Sequence, residues 1–378
     1  MEATHASNPG KASAREDAAL TALIKEKARA LGFTRAGIAR AEVWPESASL
    51  LDWLARGQAG TMDWMGRSRE TRMDVRRLLP GARSVLCVAM SYQTARPLST
   101  APRERSRGWI SRYAWGRDYH RVMEKRVRRL ARALQRLRPG TLCATRVDTG
   151  PVLEHVAAAH AGVGWIGKNT CVIDRRAGSF LFLGEIVTDA PLVPDRREPD
   201  HCGTCRRCID ACPTGAIVAP YQLDARRCIA YLTIEHHGEI DPALRAGMGT
   251  HVYGCDICQD VCPWNSDAPA GGIEDFEPRP GAEAPELGAL LERIQSDYEG
   301  FIQGTAMRRA ERAGWLRNIA IAMGNSGERR FERALARLAE DPDAVVSRHA
   351  RWALDRLRDV AGNGASGEKP PPGFSHRF

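Results

Sequence analysis

The sequence predicts an α+β protein in three parts: an α/β N-terminal part, a cysteine-rich middle part and a helical C-terminal part. Three observations predict this class. Strand-like apolar runs and helical periodicities alternate up to about residue 191, eight of the eleven cysteines lie between residues 202 and 262, and the rest of the chain has helical periodicity. A chain of 378 residues is long enough for two or three domains.

The N-terminal part, predicted to span residues 17–194, mixes helices with buried strands. The stretch LTALIKEKARALGF has the periodicity of an amphipathic helix that ends at Gly32. Two apolar runs, SVLCVAM at 84–90 and SFLFLGEIVT at 179–188, predict buried strands. Apolar residues repeat every three or four positions in 119–138, which predicts a helix with its arginines on the opposite face. Residues 1–16 are polar and rich in Ala and Ser, so we expect disorder there.

The remaining chain divides by composition. We expect a cysteine-rich part at 195–270, a linker rich in Pro, Gly and Glu at 271–288, a helical part at 289–360 and a disordered tail at 361–378. The helical segments RNIAIAMGNSG and DPDAVVSRHARWAL resemble a HEAT-type repeat. Because isolated helical pairs cannot bury their apolar faces, this part should pack on the body of the protein.

Charge and hydropathy limit the functional classes. No apolar run approaches the roughly 18 residues that a membrane helix needs, and no export signal is visible, so we expect a cytoplasmic protein. The net charge is +9, and residues 107–138 alone hold ten Arg and one Lys against two acidic residues. A second basic stretch spans 307–333. This local excess predicts a surface that binds phosphate groups, the alternative being a solvated basic face.

The cysteine spacing predicts metal clusters. The run at 202–213 reads C-x₂-C-x₂-C-x₃-C-P, the spacing of bacterial ferredoxins, in which the fourth cysteine binds the other of two clusters. A second, incomplete run ends in C-x₂-C-x₃-C-P at 255–263. Paired structural zinc sites also use C-x₂-C pairs, but a run ending in Pro is not their pattern. The predicted ligand sets for two [4Fe-4S] clusters are Cys202, Cys205, Cys208 and Cys262, and Cys212, Cys228, Cys255 and Cys258.

Two neighbouring clusters form an electron path that needs an acceptor in the N-terminal part. That part has no G-x-G-x-x-G after a strand and no P-loop, so neither a nicotinamide nor a nucleotide is indicated. Three of its loops together supply aromatic residues, glycines and cations: ISRYAWGRDYH at 110–120, VDTGPVLEH at 147–155 and GVGWIGKNTCVI at 162–173. Such loops suit a large planar ligand that carries phosphate.

Together these segments resemble the epoxyqueuosine reductases, the cobalamin- and iron–sulfur-dependent enzymes that complete queuosine in tRNA. The resemblance runs from about Gly60 to Leu357 and includes GTMDWMGRSRETRMDVRRLLPGARSV, SRYAWGRDYH, VDTGPVLEH, GWIGKN, LGEI and the cysteine framework. One departure is Trp64-Met65-Gly66, where the family has a YMxxH-like feature. The resemblance implies a cobalamin-binding N-terminal domain, a ferredoxin-like domain with two clusters and a HEAT-like domain that binds tRNA.

The implied reaction converts the epoxide of the wobble nucleoside into an alkene, takes up two electrons and two protons, and releases water. Cobalt in a corrin supplies chemistry that no side chain offers. By the resemblance, Asp148 is the general acid, and its pKa should be raised by burial in an apolar site. From the residues alone, D-T-G-P equally predicts the cap of a following helix. Glu154 is the rival carboxylate, which we expect to be structural or to face solvent.

The resemblance also implies contacts with the corrin, although Lys168 and Asn169 can instead cap a turn after Gly167. No clear cobalt ligand is present, which favours base-off cob(II)alamin, and His120 is the nearest candidate against that. The implied contacts are Arg72, Ser111, Asp148, Lys168, Asn169 and Cys171.

With this resemblance, the basic stretches gain an expected partner, the anticodon stem-loop of tRNA. We further expect a monomer that receives electrons from an external donor of the flavodoxin or ferredoxin type. Two other functions stay open: a corrinoid iron–sulfur enzyme similar to reductive dehalogenases, and an electron-transfer subunit without catalysis. The candidate tRNA contacts are Arg126, Arg128, Arg129, Arg132, Arg308, Arg309, Arg312 and Arg317.

Overall fold

The computed structural model describes residues 9–363, with side chains described for 13–359. The N-terminal part contains α1 (Pro9–Ala30), β1 (Arg35–Arg40), α2 (Ser47–Ala55), α3 (Asp63–Arg67), α4 (Arg69–Met73), β2 (Ser84–Ser91), β3 (Trp109–Ile110), α5 (Tyr119–Leu137), β4 (Cys143–Arg146), α6 (Glu154–His160), β5 (Trp165–Ile166), β6 (Val172–Ile173) and β7 (Leu181–Thr188).

The middle part is built from short elements, and the C-terminal part is helical. The middle part contains α7 (Arg207–Asp210), β8 (Ile217–Ala219), β9 (Gln222–Leu223), α8 (Ile229–Ile234), α9 (Pro242–Arg245), β10 (His251–Tyr253), α10 (Ile257–Asp260) and α11 (Pro263–Ser266). The helical part contains α12 (Leu287–Ser296), α13 (Tyr298–Ile302), α14 (Glu311–Ser326), α15 (Glu332–Leu338) and α16 (Ala344–Asn363).

A four-stranded antiparallel sheet in the order β1-β2-β7-β4 forms the centre of the N-terminal part. The two apolar runs of the sequence become β2 and β7, the central strands, so both strand predictions are confirmed. Helices cover both faces of this sheet, which explains why these strands are apolar in nearly every position instead of alternating.

Helices α1 and α5 cover one face of the sheet, and α6 covers the other. The predicted helix at 119–138 is confirmed as α5, which buries Met123, Val127, Leu130 and Leu134. Leu137, predicted on the same face, is instead exposed because the helix ends there. None of the described helices has the length and apolar composition needed to cross a bilayer.

The predicted disorder at the termini is wrong where the structure describes them. Residues 9–16 belong to α1, whose C-terminal half packs on the sheet through Leu20 and Ile24 and so supports the preceding turns. Helix α16 extends to Asn363, three residues into the predicted tail. The predictions for residues 1–8 and 364–378 fall outside the described residues.

The helical part packs on the body, as predicted. Trp315 of α14 shares one apolar core with Trp109 and Tyr253, which lie on the parallel pair of strands β3 and β10. The predicted linker also crosses the body, because Phe276 is buried against the sheet. The HEAT-type geometry and the domain boundaries stay predictions.

Candidate active site

Asp148 lies on a strained turn directly after β4. Its φ is 52°, in the left-handed region that a residue with a side chain rarely adopts. The turn is tight, since the backbone N–H of Thr149 donates to the Val147 carbonyl at 2.6 Å. Strain of this kind persists where the surrounding structure enforces it, and it is concentrated at functional sites.

Two aromatic side chains from the start of α5 hold the Asp148 carboxylate. The hydroxyl of Tyr119 donates to Oδ2 at 2.7 Å, and Nε2 of His120 lies 2.9 Å from the same oxygen. The other ring nitrogen of His120 lies 2.8 Å from the carboxylate of Asp118, which also caps α5. Both ring nitrogens of His120 therefore contact carboxylates in this structure, and its role as a cobalt ligand stays an untested alternative.

The protonation of this pair differs from the expectation. Burial lowers the pKa of His120, but hydrogen bonds with Asp118 and Asp148 outweigh it and raise the value to about 9. Burial raises the pKa of Asp148, but hydrogen bonds from His120 and Tyr119 outweigh it and hold the value below its ordinary range. The predicted raised pKa of Asp148 is therefore wrong for this structure, in which the side chain is also 45% exposed.

Glu154, which we expected to be structural or to face solvent, lies at the start of α6 with a side chain that is 26% exposed. Burial and the nearby charge of Asp148 raise its pKa to about 8, although the Asp148 backbone N–H and Arg72 act in the opposite direction. Arg72 is itself buried, donates to the Val152 carbonyl at 3.2 Å and stacks over the ring of Trp64. A second titratable carboxyl therefore adjoins Asp148.

A cavity of about 750 Å³ lies beside this turn. Leu153 and His155, which follow Asp148 in the chain, form part of its wall, and Trp53, Trp165 and Tyr221 form other parts. Tyr221 and a further residue of the wall, Thr170, have the unusual positive φ angles of 66° and 67°. The large apolar surface suits a flat ligand with apolar faces.

The structure places the predicted corrin contacts apart from this wall. Arg72 lies next to Asp148 and Glu154, as described, but the hydroxyl of Ser111 donates to the buried carboxylate of Asp256 at 2.5 Å. Of the segment GWIGKNTC, the wall contains Trp165, Ile166 and Thr170. The residues of this loop that face the cavity are therefore not those predicted to contact the corrin, and the corrin contacts stay a prediction.

Lys168, Asn169 and Cys171 contact the cysteine-rich part instead. Nζ of Lys168 donates to the carbonyls of Gly203 and Cys205 at 2.6 and 2.9 Å. The side-chain amide of Asn169 donates to the Cys258 carbonyl at 3.3 Å, and Cys171 lies next to the same cysteine. This loop therefore joins both cysteine runs to the wall of the cavity.

The thiols of the first predicted set lie close together. Burial raises the pKa of Cys262 to about 11, with contributions from Cys202, Cys208 and Cys205. The pKa of Cys208 is likewise raised to about 11 by burial and by neighbouring thiols. These are the neighbours that the ferredoxin spacing predicts.

The second predicted set converges in the same way. Burial and the thiols of Cys258 and Cys212 raise the pKa of Cys228 to about 11, and the pKa of Cys255 is also raised by burial and by Cys258 and Cys228. Cys208 of the first set is close enough to Cys258 to feel its charge. Soft thiolates in two adjoining sets of four form a donor set that fits iron–sulfur clusters.

The predicted tRNA-binding arginines on α5 differ in how exposed their side chains are and in whether they form ion pairs. Arg129 and Arg132 are exposed, and Arg128 pairs with a glutamate on the same helix at 2.9 Å. Arg126 is half-buried in an ion pair with Asp275 at 3.2 Å and is less available. These side chains follow Tyr119 and His120 on one helix, so the basic surface adjoins the Asp148 turn.

A basic cleft of about 450 Å³ lies at the start of α5. It contains Arg117, Arg121 and Lys125 in addition to Arg126 and Arg129. Sequence analysis did not select the first three, although all lie in the basic segment at 107–138.

The helical part presents a second basic surface. Arg308 and Arg312 are exposed, and Arg309 stacks over Trp64 while pairing with a glutamate at 2.6 Å. The positive charge of Arg309 also acts on Asp148 and lowers the pKa of that carboxyl after the effects of burial, His120 and Tyr119. Basic residues from two parts of the chain therefore flank the Asp148 turn.

Arg317 does not belong to that surface, so its predicted contact with tRNA is wrong. The side chain is fully buried inside the helical part. Its guanidinium donates to the carbonyls of Leu232, His236 and Gly238 at 2.6–3.0 Å and to the Asn318 side chain. Arg317 thus joins α14 to the middle part.

Two family models match separate parts of the chain. The family described as epoxyqueuosine reductase QueG, DUF1730, matches residues 72–149, which end directly after Asp148. The family described as a 4Fe-4S double cluster binding domain matches residues 201–265, which contain all eight cysteines of the two sets.

Curated relatives match nearly the whole chain. An epoxyqueuosine reductase of Xanthomonas campestris pv. campestris is 43% identical over 336 residues, which cover 88% of this chain and 95% of the relative. That of Pseudomonas aeruginosa is 41% identical over 348 residues, covering 90% and 95%. That of Escherichia coli is 40% identical over 334 residues, covering 88% of each chain.

Solved structures agree with these relatives. A crystal structure of epoxyqueuosine reductase with an epoxyqueuosine-modified stem loop of tyrosine tRNA is 30% identical, with a TM-score of 0.82 and coverage of 93% of this chain and 95% of the other. The enzyme from Bacillus subtilis, seen with its catalytic aspartate loop swung out of the active site, is 28% identical with a TM-score of 0.81 and the same coverage. The chain described here belongs to the epoxyqueuosine reductase family.

Proposed function

We propose that this chain reduces the epoxide of epoxyqueuosine, at the wobble position of tRNA, to the alkene of queuosine. The observation that carries this proposal is the Asp148 carboxylate, held on a strained turn by Tyr119 and His120 beside a large apolar cavity. The family relationship supplies the substrate class. Electrons are proposed to come from an external donor of the flavodoxin or ferredoxin type.

The cofactors proposed are two [4Fe-4S] clusters and cobalamin. The two cysteine sets hold the clusters, because cysteine thiolates are the usual ligands of cluster iron. Trp53, Leu153 and Trp165 offer apolar walls to the corrin, and both ring nitrogens of His120 are engaged by carboxylates. Cobalamin, when bound, allows electrons delivered singly to be used for a two-electron change at carbon.

The side chains described here handle the protons. Reduction of an epoxide to an alkene takes up two electrons and two protons, and the oxygen leaves as water. At neutral pH the directions of the two pKa shifts leave the proton of the pair on His120, hydrogen-bonded to an ionised Asp148. The proton passes from His120 to Asp148, which donates it to the epoxide oxygen as the carbon–oxygen bond breaks. Glu154, whose pKa is raised to about 8, supplies a second proton nearby.

A single-turnover assay tests this function. Anaerobically purified protein is loaded with cobalamin, reduced chemically and mixed with an anticodon stem-loop that carries epoxyqueuosine. We expect queuosine as the product, measured by mass spectrometry of the digested RNA. Protein whose clusters and cobalt are reduced normally but that forms no queuosine would contradict the proposal.

The pH dependence of that reaction should depend on His120. Because the pKa of His120 is raised to about 9, the pair keeps its proton through neutral pH and loses it as pH rises through about 9. In His120→Gln the neutral partner no longer supplies a proton, so we expect the alkaline limb of the rate profile to move to lower pH. Single-turnover rates between pH 6 and about 10 measure this limb, and an unchanged limb would exclude His120 as the proton source.

The exposed arginines beside the Asp148 turn are proposed to bind the tRNA backbone. Arg129 and Arg132 on α5, and Arg308 and Arg312 on the helical part, are exposed and flank the site. Charge reversal in Arg129→Glu should weaken stem-loop binding and reduce the dependence of log affinity on log salt by about 0.7–0.9 per lost phosphate contact. Filter binding at several salt concentrations measures both quantities.

Arg337→Glu is the matched control, because Arg337 is also exposed on a helix but lies on α15. We expect its salt dependence to equal that of the wild type. Equal salt slopes for Arg129→Glu and the wild type would place the RNA on another surface.

A further inference from the structure

Lys168 is a buried lysine without a carboxylate partner. Its exposed fraction is 9%, and its ammonium donates to two backbone carbonyls, those of Gly203 and Cys205. Among the described residues, no carboxylate oxygen forms an ion pair with Nζ within 4 Å. Lysine is almost never buried unless it is paired, because moving an ammonium out of water is costly.

A neighbouring carboxylate, that of Asp200, has other hydrogen-bond partners. Asp200 is close enough for Lys168 to contribute, as a minor effect, to the lowered pKa of that carboxyl. However, Asp200 accepts hydrogen bonds from the backbone N–H of Cys202 and from the hydroxyl of Tyr221. Two carbonyl dipoles satisfy the hydrogen-bonding capacity of Nζ only in part, and they do not neutralise its charge.

The cavity next to Lys168 offers a place for a negative charge that would balance its ammonium. Lys168 lines a cavity of about 250 Å³ together with the thiols of Cys202, Cys205, Cys208 and Cys262. Four thiolates around a [4Fe-4S] core carry a net negative charge, which becomes more negative when the cluster takes up an electron. A cluster in this cavity would therefore be the counter-charge of the ammonium.

Hydrogen-bond donors near the Cys202 sulfur also favour a negatively charged cluster at this site. The backbone N–H of Lys168 donates towards the sulfur of Cys202, and the buried indole N–H of Trp165, which has no other partner among the described residues, faces the same sulfur. Donors to cluster sulfurs and nearby positive charge both favour the reduced cluster.

The second cysteine set has a different environment. The side chain that reaches it from the same loop is the neutral amide of Asn169, which donates to the Cys258 carbonyl. The charged side chain next to this set is the carboxyl of Asp256, which is 1% exposed and contributes to the raised pKa of Cys255 and Cys258. The cavity of the first set is therefore lined by the cations Lys168 and Arg207, with Asp200 acting on Cys202, whereas the buried charged group beside the second set is a carboxyl.

We propose that Lys168 is a positioning residue that raises the reduction potential of the cluster held by Cys202, Cys205, Cys208 and Cys262 above that of the other cluster. This inference rests on the proposed function only in requiring that two clusters are bound. The cluster next to Lys168 is then reduced first and holds an electron, while the cluster next to Asp256 is the stronger reductant.

Potentiometric titration followed by electron paramagnetic resonance tests this inference in the full-length protein. In Lys168→Met, we expect one cluster to become about tenfold harder to reduce, a fall of about 59 mV for one electron. The potential of the other cluster should not change. Lys168→Gln keeps donors for the two carbonyls without the charge and should show the same shift, whereas Lys168→Arg should keep the wild-type potential.

The controls separate this inference from the proposed function. Lys25→Met removes a lysine that pairs with Asp195 on the N-terminal part, and it should leave both potentials unchanged. Unchanged potentials in Lys168→Gln would overturn the inference, as would an equal shift of both clusters. Iron analysis of the wild type comes first: fewer than two clusters per chain would contradict the proposed cofactor content, independently of any effect of Lys168.

Discussion

Replacing Asp148 by Asn is expected to slow single-turnover reduction of the epoxide by about 10²–10⁴-fold, the usual contribution of a positioned general acid. The amide keeps the size of the side chain and can still accept the hydrogen bond from Tyr119. The amide has no proton to release to the departing oxygen, and it cannot be reprotonated by His120. The rate is measured by rapid quench with reduced, cobalamin-loaded protein and the modified stem-loop.

The matched control is Asp355→Asn, which changes a carboxylate that pairs with Arg358 on the exposed face of α16. Its rate should equal that of the wild type. In Asp148→Asn, the iron content and stem-loop affinity should also be unchanged, since neither depends on a proton at this position. A wild-type rate in Asp148→Asn would remove Asp148 from the reaction, and Glu154→Gln would then be the next variant to measure.

Replacing Arg317 by Leu is expected to destabilise the protein by about 3 kcal/mol or more, because it breaks a buried charged network. The substitution leaves the carbonyls of Leu232, His236 and Gly238 without their donor in a site from which water is excluded. Urea denaturation of the anaerobic holoprotein, followed by circular dichroism, measures the effect as a lower midpoint.

Arg312→Leu is the control for this variant. Arg312 lies on the same helix, five residues earlier, but it is exposed, so we expect a change in stability within about 0.5 kcal/mol. The two variants should also differ in how tightly they bind RNA. Arg312→Leu should weaken RNA binding at full stability, whereas a stable Arg317→Leu protein with weakened RNA binding would restore Arg317 to the RNA surface.

Local signals account for the parts of the fold that the sequence predicted correctly. The six consecutive apolar residues at the centre of β2 are read directly from the chain, and so is the three-to-four periodicity of α5. The grouping of the cysteines follows from spacing, because a single turn can present several sulfurs to one cluster. In β2, in α5 and within each cysteine run, the residues that cooperate are close in sequence; the pairing of the two runs was instead taken from the pattern of two-cluster ferredoxins.

The proton-donating pair could not be predicted in the same way. His120 and Asp148 are 28 residues apart and meet only because α5 packs against the sheet whose edge strand β4 ends at Arg146, two residues before Asp148. The lowered pKa of Asp148 depends on that contact. The wall of the cavity likewise combines Trp53, Trp165 and Tyr221, which belong to three separate segments.

The sequence by itself determined the family, the α+β class, the central strands, the helix α5 and the two sets of cysteines, because apolar period, ligand spacing and motif order are local properties of a chain. The tertiary structure decided which charged side chains are exposed and which groups they contact. Arg312 and Arg317 are the same residue type on one helix, yet only the first is exposed. Lys168 contacts a cysteine loop instead of the cavity. Burial and partners set the energy of a charge, and both arise only when distant segments pack together.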